Sequence, residues 1–345
     1  MNGGKIVWSP DKYLQELYEE TVANHQTNYN DDWRLKLKRN FKEILGDFED
    51  YKGPLNPCEL ERVDMGSYER LRIEINTLSP SLKMPVYVLL PKEKSKHKLP
   101  AVLAIHGHGY GSKATVGLNP DGSIKTDEEY HKDFAIELVN RGIVVFVPEL
   151  VGFGDRKLKA DQGVGSPEDN SCYMIASQLL LVGKTLAGLR IQECIRIIDY
   201  VETFDIIEPS KIGMMGISGG GLVTAFTSAL DERLKATVVS GYANTFKASI
   251  MDRRHCLDNH FPRILKYGEM PDLIGLIAPR ALFIEAGDKD HLFPVEVVKQ
   301  AIDTLTDIYK SFGVKDKFGH HIFAGGHEIS GKKSIEWLIN MLENR

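Results

Sequence analysis

Two stretches near the start carry apolar residues at helical spacing: Leu14, Leu17, Tyr18 and Val22, then Trp33, Leu37, Phe41, Ile44 and Leu45. Ser9-Pro10-Asp11 is a helix-start signal, so the pattern predicts helix from about Ser9 to Asp50. The Gly53-Pro54-Leu55-Asn56-Pro57 cluster ends it. The period then falls to two. Leu71, Ile73 and Ile75 alternate with Arg72, Glu74 and Asn76, and a second strand-like run covers Pro85–Leu90. Ala101–Ile105 and Ile143–Val147 are unbroken apolar runs, read as buried strands, with helical spacing over Glu128–Arg141 between them.

Beyond these the order is regular. The pattern predicts a long helix over Ser177–Glu202, strand Ile212–Ile217, a helix from Gly219 and strand Ala236–Ser240. An irregular stretch from Gly241 to Ile277 follows, then strand Ala281–Glu285, helix Val295–Phe312, strand His320–Phe323 and a terminal helix from about Lys332. Strands alternating with helices imply an α/β fold: a mostly parallel central sheet flanked by helices on both faces. The division expected is an N-terminal helical extension over residues 1–60 and one α/β domain over 61–345, with 241–277 as a pocket-forming insertion. Trp8, Trp33 and Trp337 read as core or domain-contact aromatics, and the lysine-rich Pro91–Leu99 as a solvated turn.

Composition narrows the function. Across 345 residues, 43 Lys+Arg against 48 Asp+Glu give a net charge of −5, so nothing attracts the chain as a whole to nucleic acid. No apolar run reaches the roughly 18 residues needed to cross a bilayer, and Met1-Asn2-Gly3-Gly4-Lys5 lacks an apolar signal core. Cys58, Cys172, Cys194 and Cys256 form no C-x-x-C pair and read as reduced, mostly packing thiols. A cytoplasmic location is expected, although a processed exported form has the same composition. The acidic balance and helical arm permit a homo-oligomer without requiring one.

The sharpest chemical signal is Gly216-Ile217-Ser218-Gly219-Gly220, a G-x-S-x-G sequence between an apolar strand and a helical run. This is the strand–turn–helix context of a nucleophile elbow, whose glycines relieve crowding around a strained serine. Such a serine needs a base and an acid later in the chain. His327 follows the last strand in a short glycine loop, Phe323-Ala324-Gly325-Gly326-His327. The strand Ala281–Glu285 runs into a turn holding Asp288 and Asp290. Asp290 lies deeper in that turn, ahead of Pro294 and a helix, and is the acid of choice, with Asp288 a turn residue. Ser218, Asp290 and His327 are therefore the candidate catalytic residues.

Acyl transfer also needs donors for the oxyanion. Gly219 supplies one as the amide following the serine. The loop His106-Gly107-His108-Gly109 after strand Ala101–Ile105 supplies the other, for which the His108 amide is the candidate, with the His106 side chain bracing the loop. No metal or cofactor is expected: the H-x-H pair opens a glycine loop, and Asp288, Asp290 and His291 have no second ligand cluster. His255, Asn259 and His260 are pocket candidates within the insertion.

These residues, with Arg141-Gly142, Gly152-Phe153-Gly154-Asp155-Arg156 and Ile277-Ala278-Pro279-Arg280, resemble an α/β-hydrolase of the dienelactone hydrolase-like, acetyl xylan esterase-related branch over about residues 60–345. Dienelactone hydrolases carry cysteine where this chain has Ser218. The resemblance therefore implies a serine carboxylester hydrolase acting on small-molecule short-chain acyl esters, often acetylated sugars. An amidase, peptidase or carbon–carbon bond hydrolase with the same triad is the alternative. A non-catalytic binding module is disfavoured, because every triad position and elbow glycine is present.

Overall fold

The computed structural model describes residues 8–23, 25, 28–48, 53–93, 97–127 and 129–343. The Met1–Lys5 start and residues 94–96 of the lysine-rich turn lie outside them. Two helices, α1 (Asp11–Val22) and α2 (Asp31–Leu45), precede three antiparallel strands, β1 (Cys58–Asp64), β2 (Tyr68–Ser79) and β3 (Leu82–Pro91). Then come β4 (Leu99–Ile105), α3 (Phe134–Asn140), β5 (Val144–Pro148), α4 (Cys172–Leu181), α5 (Leu186–Val201), β6 (Ile207–Ile217), α6 (Gly219–Leu230) and β7 (Leu234–Ser240). The chain ends with α7 (Met270–Gly275), β8 (Ala281–Gly287), α8 (Val295–Ser311), β9 (Phe318–Phe323) and α9 (Ser334–Glu343).

One nine-stranded sheet has the order β1-β2-β3-β5-β4-β6-β7-β8-β9, with β4 to β9 parallel to one another. The two faces bury different sets of side chains. Leu103, Ile105 and Met214 join the cluster under α2, α5 and α6, whereas Val102, Ala104, Met215 and Ile217 pack under α3 and α9. Burial on both faces is why these strands read as continuous apolar runs. The chain leaves β4 toward β5 on one side and later returns to place β6 on the other. That reversal is a topological switch point, where open α/β sheets bind ligands beyond the carboxyl ends of the strands.

Several expected elements differ. The single N-terminal helix is two, because Asn30 is extended and its side chain caps the Trp33 amide at 2.9 Å, starting α2 afresh. Trp33, Leu37, Phe41, Ile44 and Leu45 on α2 are all buried in the main core cluster, each such side chain contributing roughly 1.5–3 kcal/mol. α2 thus packs directly into the main core cluster. Trp8, by contrast, is 88% exposed, and Cys58 is exposed, so neither packs as expected. The helix expected over 177–202 is α4 and α5, bent by 98°. Gly183 takes φ 76°, and Thr185 caps Gly188 while also donating to the Leu45 carbonyl at 2.8 Å. No single described helix is long and apolar enough to cross a membrane; only this broken pair passes on length and composition. The helix expected from Glu128 begins at Phe134 instead, because Lys132 and Asp133 have positive φ. β1 has only exposed or half-exposed residues and shows no apolar alternation, which hides it in the sequence.

Candidate active site

β6 delivers the elbow. Ser218 follows its last residue with φ 57° and ψ −124°, a conformation costing about 1–3 kcal/mol for a non-glycine residue. The surroundings hold it there: its amide donates to Ser240 at the end of β7 at 3.1 Å, and its carbonyl accepts from Leu222 in α6 at 2.9 Å. A side chain at Gly220 would strike the carbonyls of Ile105 and His106, so glycine lets α6 start directly against β4. Gly219 is the first residue of α6, where an amide has no acceptor within the helix.

β8 and β9 deliver the other two groups. Asp290 is buried, and its Oδ1 accepts from the amides of Leu292 at 2.8 Å and Phe293 at 3.2 Å. Its Oδ2 accepts from Nδ1 of His327 at 2.6 Å. Burial alone would raise the Asp290 pKa; the hydrogen bond and electrostatic attraction of the His327 ring, with the two amides, outweigh it and hold the carboxyl below its usual range. Because Nδ1 donates to Asp290, Nε2 is the nitrogen left to accept, and it is buried with no hydrogen-bond partner among the described residues. The ring lies nearly parallel to Phe293 and Tyr130, with centroids 5.7 and 5.9 Å away. Ser218 and His327 line one cavity of about 300 Å³ together with His108, Tyr130 and Leu292. Asp288 instead braces the loops, accepting from the Gly325 amide at 3.1 Å.

The loop after β4 is held by three side chains, of which His106 and His131 are fully buried. His106 Nδ1 donates to the Gly107 carbonyl at 2.8 Å and Nε2 accepts from the Leu150 amide at 3.0 Å. Burial pushes its pKa down to about 3, so it is neutral. His131 accepts from the Gly107 amide at 3.0 Å through Nε2 and donates to Glu129 at 2.9 Å through Nδ1. The Tyr130 hydroxyl donates to the His108 carbonyl. Gly107 approaches so closely that a Cβ there would sit 2.9 Å from the Ile217 carbonyl and 3.2 Å from Ser218 Cβ. This loop therefore lies directly over the elbow. The His108 ring covers Gly219, where an added Cβ would be 2.9 Å from Nδ1, and burial lowers the His108 pKa.

The sequence profile described as the Abhydrolase family matches residues 6–315. The chain belongs to the Abhydrolase family. YtaP of Bacillus subtilis (strain 168), a protein assigned as a hydrolase, is 28% identical over 302 residues, covering 85% of this chain and 94% of YtaP. Among solved structures, a protein of Bacteroides fragilis NCTC 9343 assigned as an acetyl xylan esterase superposes with a TM-score of 0.75 at 17% identity. That match spans 94% of this chain and 84% of the other. The glucuronoyl esterase from Solibacter usitatus gives a TM-score of 0.65 at 16% identity, with coverage of 90% and 91%. At these identities the structural likeness establishes the shared α/β-hydrolase fold.

Within this Abhydrolase family member the three pocket candidates separate. His255 lines the Ser218 cavity, whereas His260 lines a neighbouring one. Asn259 is buried and lines a further cavity with His260, its amide donating to His255 Nδ1 at 3.1 Å and Asp258 at 2.7 Å. Cys172 and Cys256 come together with His108, their ligand atoms lying within 4.8 Å of one another. Arg190 donates to Cys172 Sγ at 3.0 Å, placing a fixed cation against the sulfur that a metal ion would need.

Sequence reasoning missed the scaffold of this site. Glu285 in β8 accepts from Ser240, Ser330, Gly331 and Ser334, clamping the segment that follows His327. A glutamate at the end of an apolar strand was the available signal. Glu149, which accepts from the Ser112 amide at 3.0 Å and hydroxyl at 2.7 Å, had the same signature after Ile143–Val147.

Proposed function

We propose that this protein is a serine carboxylester hydrolase that cleaves short-chain, acetyl-type esters of small molecules through an acyl-enzyme. Ser218 Oγ attacks the acyl carbon while His327 Nε2 takes its proton. Asp290 holds the ring with Nδ1 protonated and stabilises the imidazolium without itself accepting the proton. The amides of Gly219 and His108 donate to the oxyanion, each such donor being worth roughly a hundred- to a thousandfold in rate. His327 then returns the proton to the leaving alcohol, and a water activated by the same nitrogen releases the acid.

One observation carries this reading: the 2.6 Å Asp290–His327 hydrogen bond leaves a buried Nε2, with no partner among the described residues, on the wall of the cavity that holds the strained Ser218. The esterase names of the solved relatives support ester chemistry, and the small cavity supports a short acyl group. Ser218→Ala is expected to abolish p-nitrophenyl acetate turnover and fluorophosphonate labelling while leaving the fold intact. Undiminished turnover in that variant overturns the assignment.

A further inference from the structure

The Ser218 cavity is not closed. Arg254, His255 and Cys256 line it on one side, and the same three residues line a second cavity of about 710 Å³. The larger chamber also holds Arg253, His260 and Tyr173. Among the described residues neither lining includes an aspartate or glutamate, although carboxylates outnumber Lys+Arg in the chain by 48 to 43. The neighbouring acids are already engaged: Asp252 pairs with Lys247 at 2.9 Å, and Asp258 with Arg190 at 2.6 Å. Arg253 is engaged too, donating to the His291 carbonyl. Arg254 has no hydrogen bond or ion pair with any described residue.

His255 adds a neutral donor. Its Nδ1 accepts from the Cys256 amide and the Asn259 side chain, both at 3.1 Å, so the proton sits on Nε2. Burial lowers its pKa to about 4, which keeps it uncharged at neutral pH. A free guanidinium and a fixed imidazole N–H thus stand where the two chambers meet. A guanidinium fork matches a carboxylate bidentately, the strongest form of such a contact.

We propose that Arg254 binds a carboxylate on the alcohol portion of the substrate, so that the enzyme acts on acyl esters of carboxylate-bearing alcohols. This rests on the esterase reading above. A short acyl group fills the space beside Ser218, and the bulk of the ester, its alcohol side, extends past Arg254 into the larger chamber.

The test compares two aryl acetates that differ only in charge, 4-acetoxybenzoate and 4-acetoxybenzamide, and a second pair with one more methylene before the carboxylate or amide. Wild type is expected to favour the anion by about tenfold in kcat/KM, through KM, with the preference shrinking as salt screens the pair. Arg254→Gln brings the ratio close to one, and Arg254→Lys, which keeps the charge but loses the fork, retains part of it. Equal turnover of both members of each pair by wild type overturns the proposal, as does a preference that survives intact in Arg254→Gln. If no ester is turned over and Ser218 takes no fluorophosphonate label, the hydrolase reading itself has failed, a result distinct from loss of the anion preference alone.

Discussion

The Arg190 guanidinium donates to Asp258 at 2.6 Å with neither side chain exposed, joining α5 to the insertion after β7. Arg190 also donates twice to the Val151 carbonyl, at 3.1 and 2.7 Å, and lies over the Phe153 ring at 4.8 Å. The cation is thus saturated on the β5 side, and Asp258 is its counter-charge. Removing one partner of such a buried pair leaves an uncompensated charge in an apolar interior. Asp258→Ala is expected to lower unfolding stability by about 3–5 kcal/mol, read by denaturant unfolding. Arg190→Met combined with Asp258→Ala should recover much of that loss, since the stranded charge is gone.

Asp290→Asn separates orientation from folding. An asparagine oxygen can still accept from the Leu292 and Phe293 amides, so the turn should hold. The amide in place of Oδ2 cannot accept from His327 Nδ1 and favours the tautomer with Nε2 protonated, which cannot take the serine proton. The expected result is a fall in kcat of about 10³–10⁴ with little change in KM or melting temperature. Steady-state kinetics on p-nitrophenyl acetate, alongside a thermal melt, would check both halves.

Ser218, Asp290 and His327 were legible in the sequence as candidates because each sits at a punctuation mark. Ser218 lies between an apolar strand and a helix, His327 in a glycine loop after the last strand, and Asp290 in a turn before Pro294. Such boundaries are fixed by local chemistry that a linear reading can see. The scaffold was less visible, because its partners are distant: Glu285 meets Ser330 and Ser334, and Arg190 meets Asp258, only once the sheet is assembled. Tyr130 and His131 were hidden differently. Their spacing continues that of α3, but the positive φ values at Lys132 and Asp133 break the helix and free both rings to brace the loop carrying His108. The 98° turn between α4 and α5 was masked by apolar residues that continue at helical spacing on both sides of Gly183.

Glu285 tests whether that scaffold matters for turnover. It is fully buried, and burial raises its pKa despite four hydrogen bonds that favour the carboxylate. Glu285→Ala strands donors from Ser240, Ser330, Gly331 and Ser334 together, with an expected loss of about 3 kcal/mol. Because Ser330 and Gly331 follow His327 by only a few residues, kcat is expected to fall about tenfold while KM changes little. Glu285→Gln keeps one acceptor oxygen and should lie between wild type and alanine on both measures.

Glu149 gives a pH signature with a definite sign. Burial raises its pKa from 4.5 to about 7, against the opposing hydrogen bonds from Ser112. In the folded protein the carboxyl therefore still holds a proton over a range where the unfolded chain has lost it. Stability from this group is fully present below about pH 4.5 and is lost as pH rises toward 7, by about 1.4 kcal/mol per pH unit. His106, 3.5 Å away, acts with the opposite sign: its pKa of about 3 makes the folded state gain stability as pH rises toward 6.5. The wild-type profile alone therefore mixes the two, and the informative quantity is its difference from Glu149→Gln, which keeps His106 and cannot titrate at position 149. Between pH 4.5 and 7 the wild type should lose stability relative to the glutamine variant, measured by urea unfolding at a series of pH values. A flat difference across that window would mean that Glu149 is ionised in the folded protein and that its two Ser112 hydrogen bonds outweigh its burial.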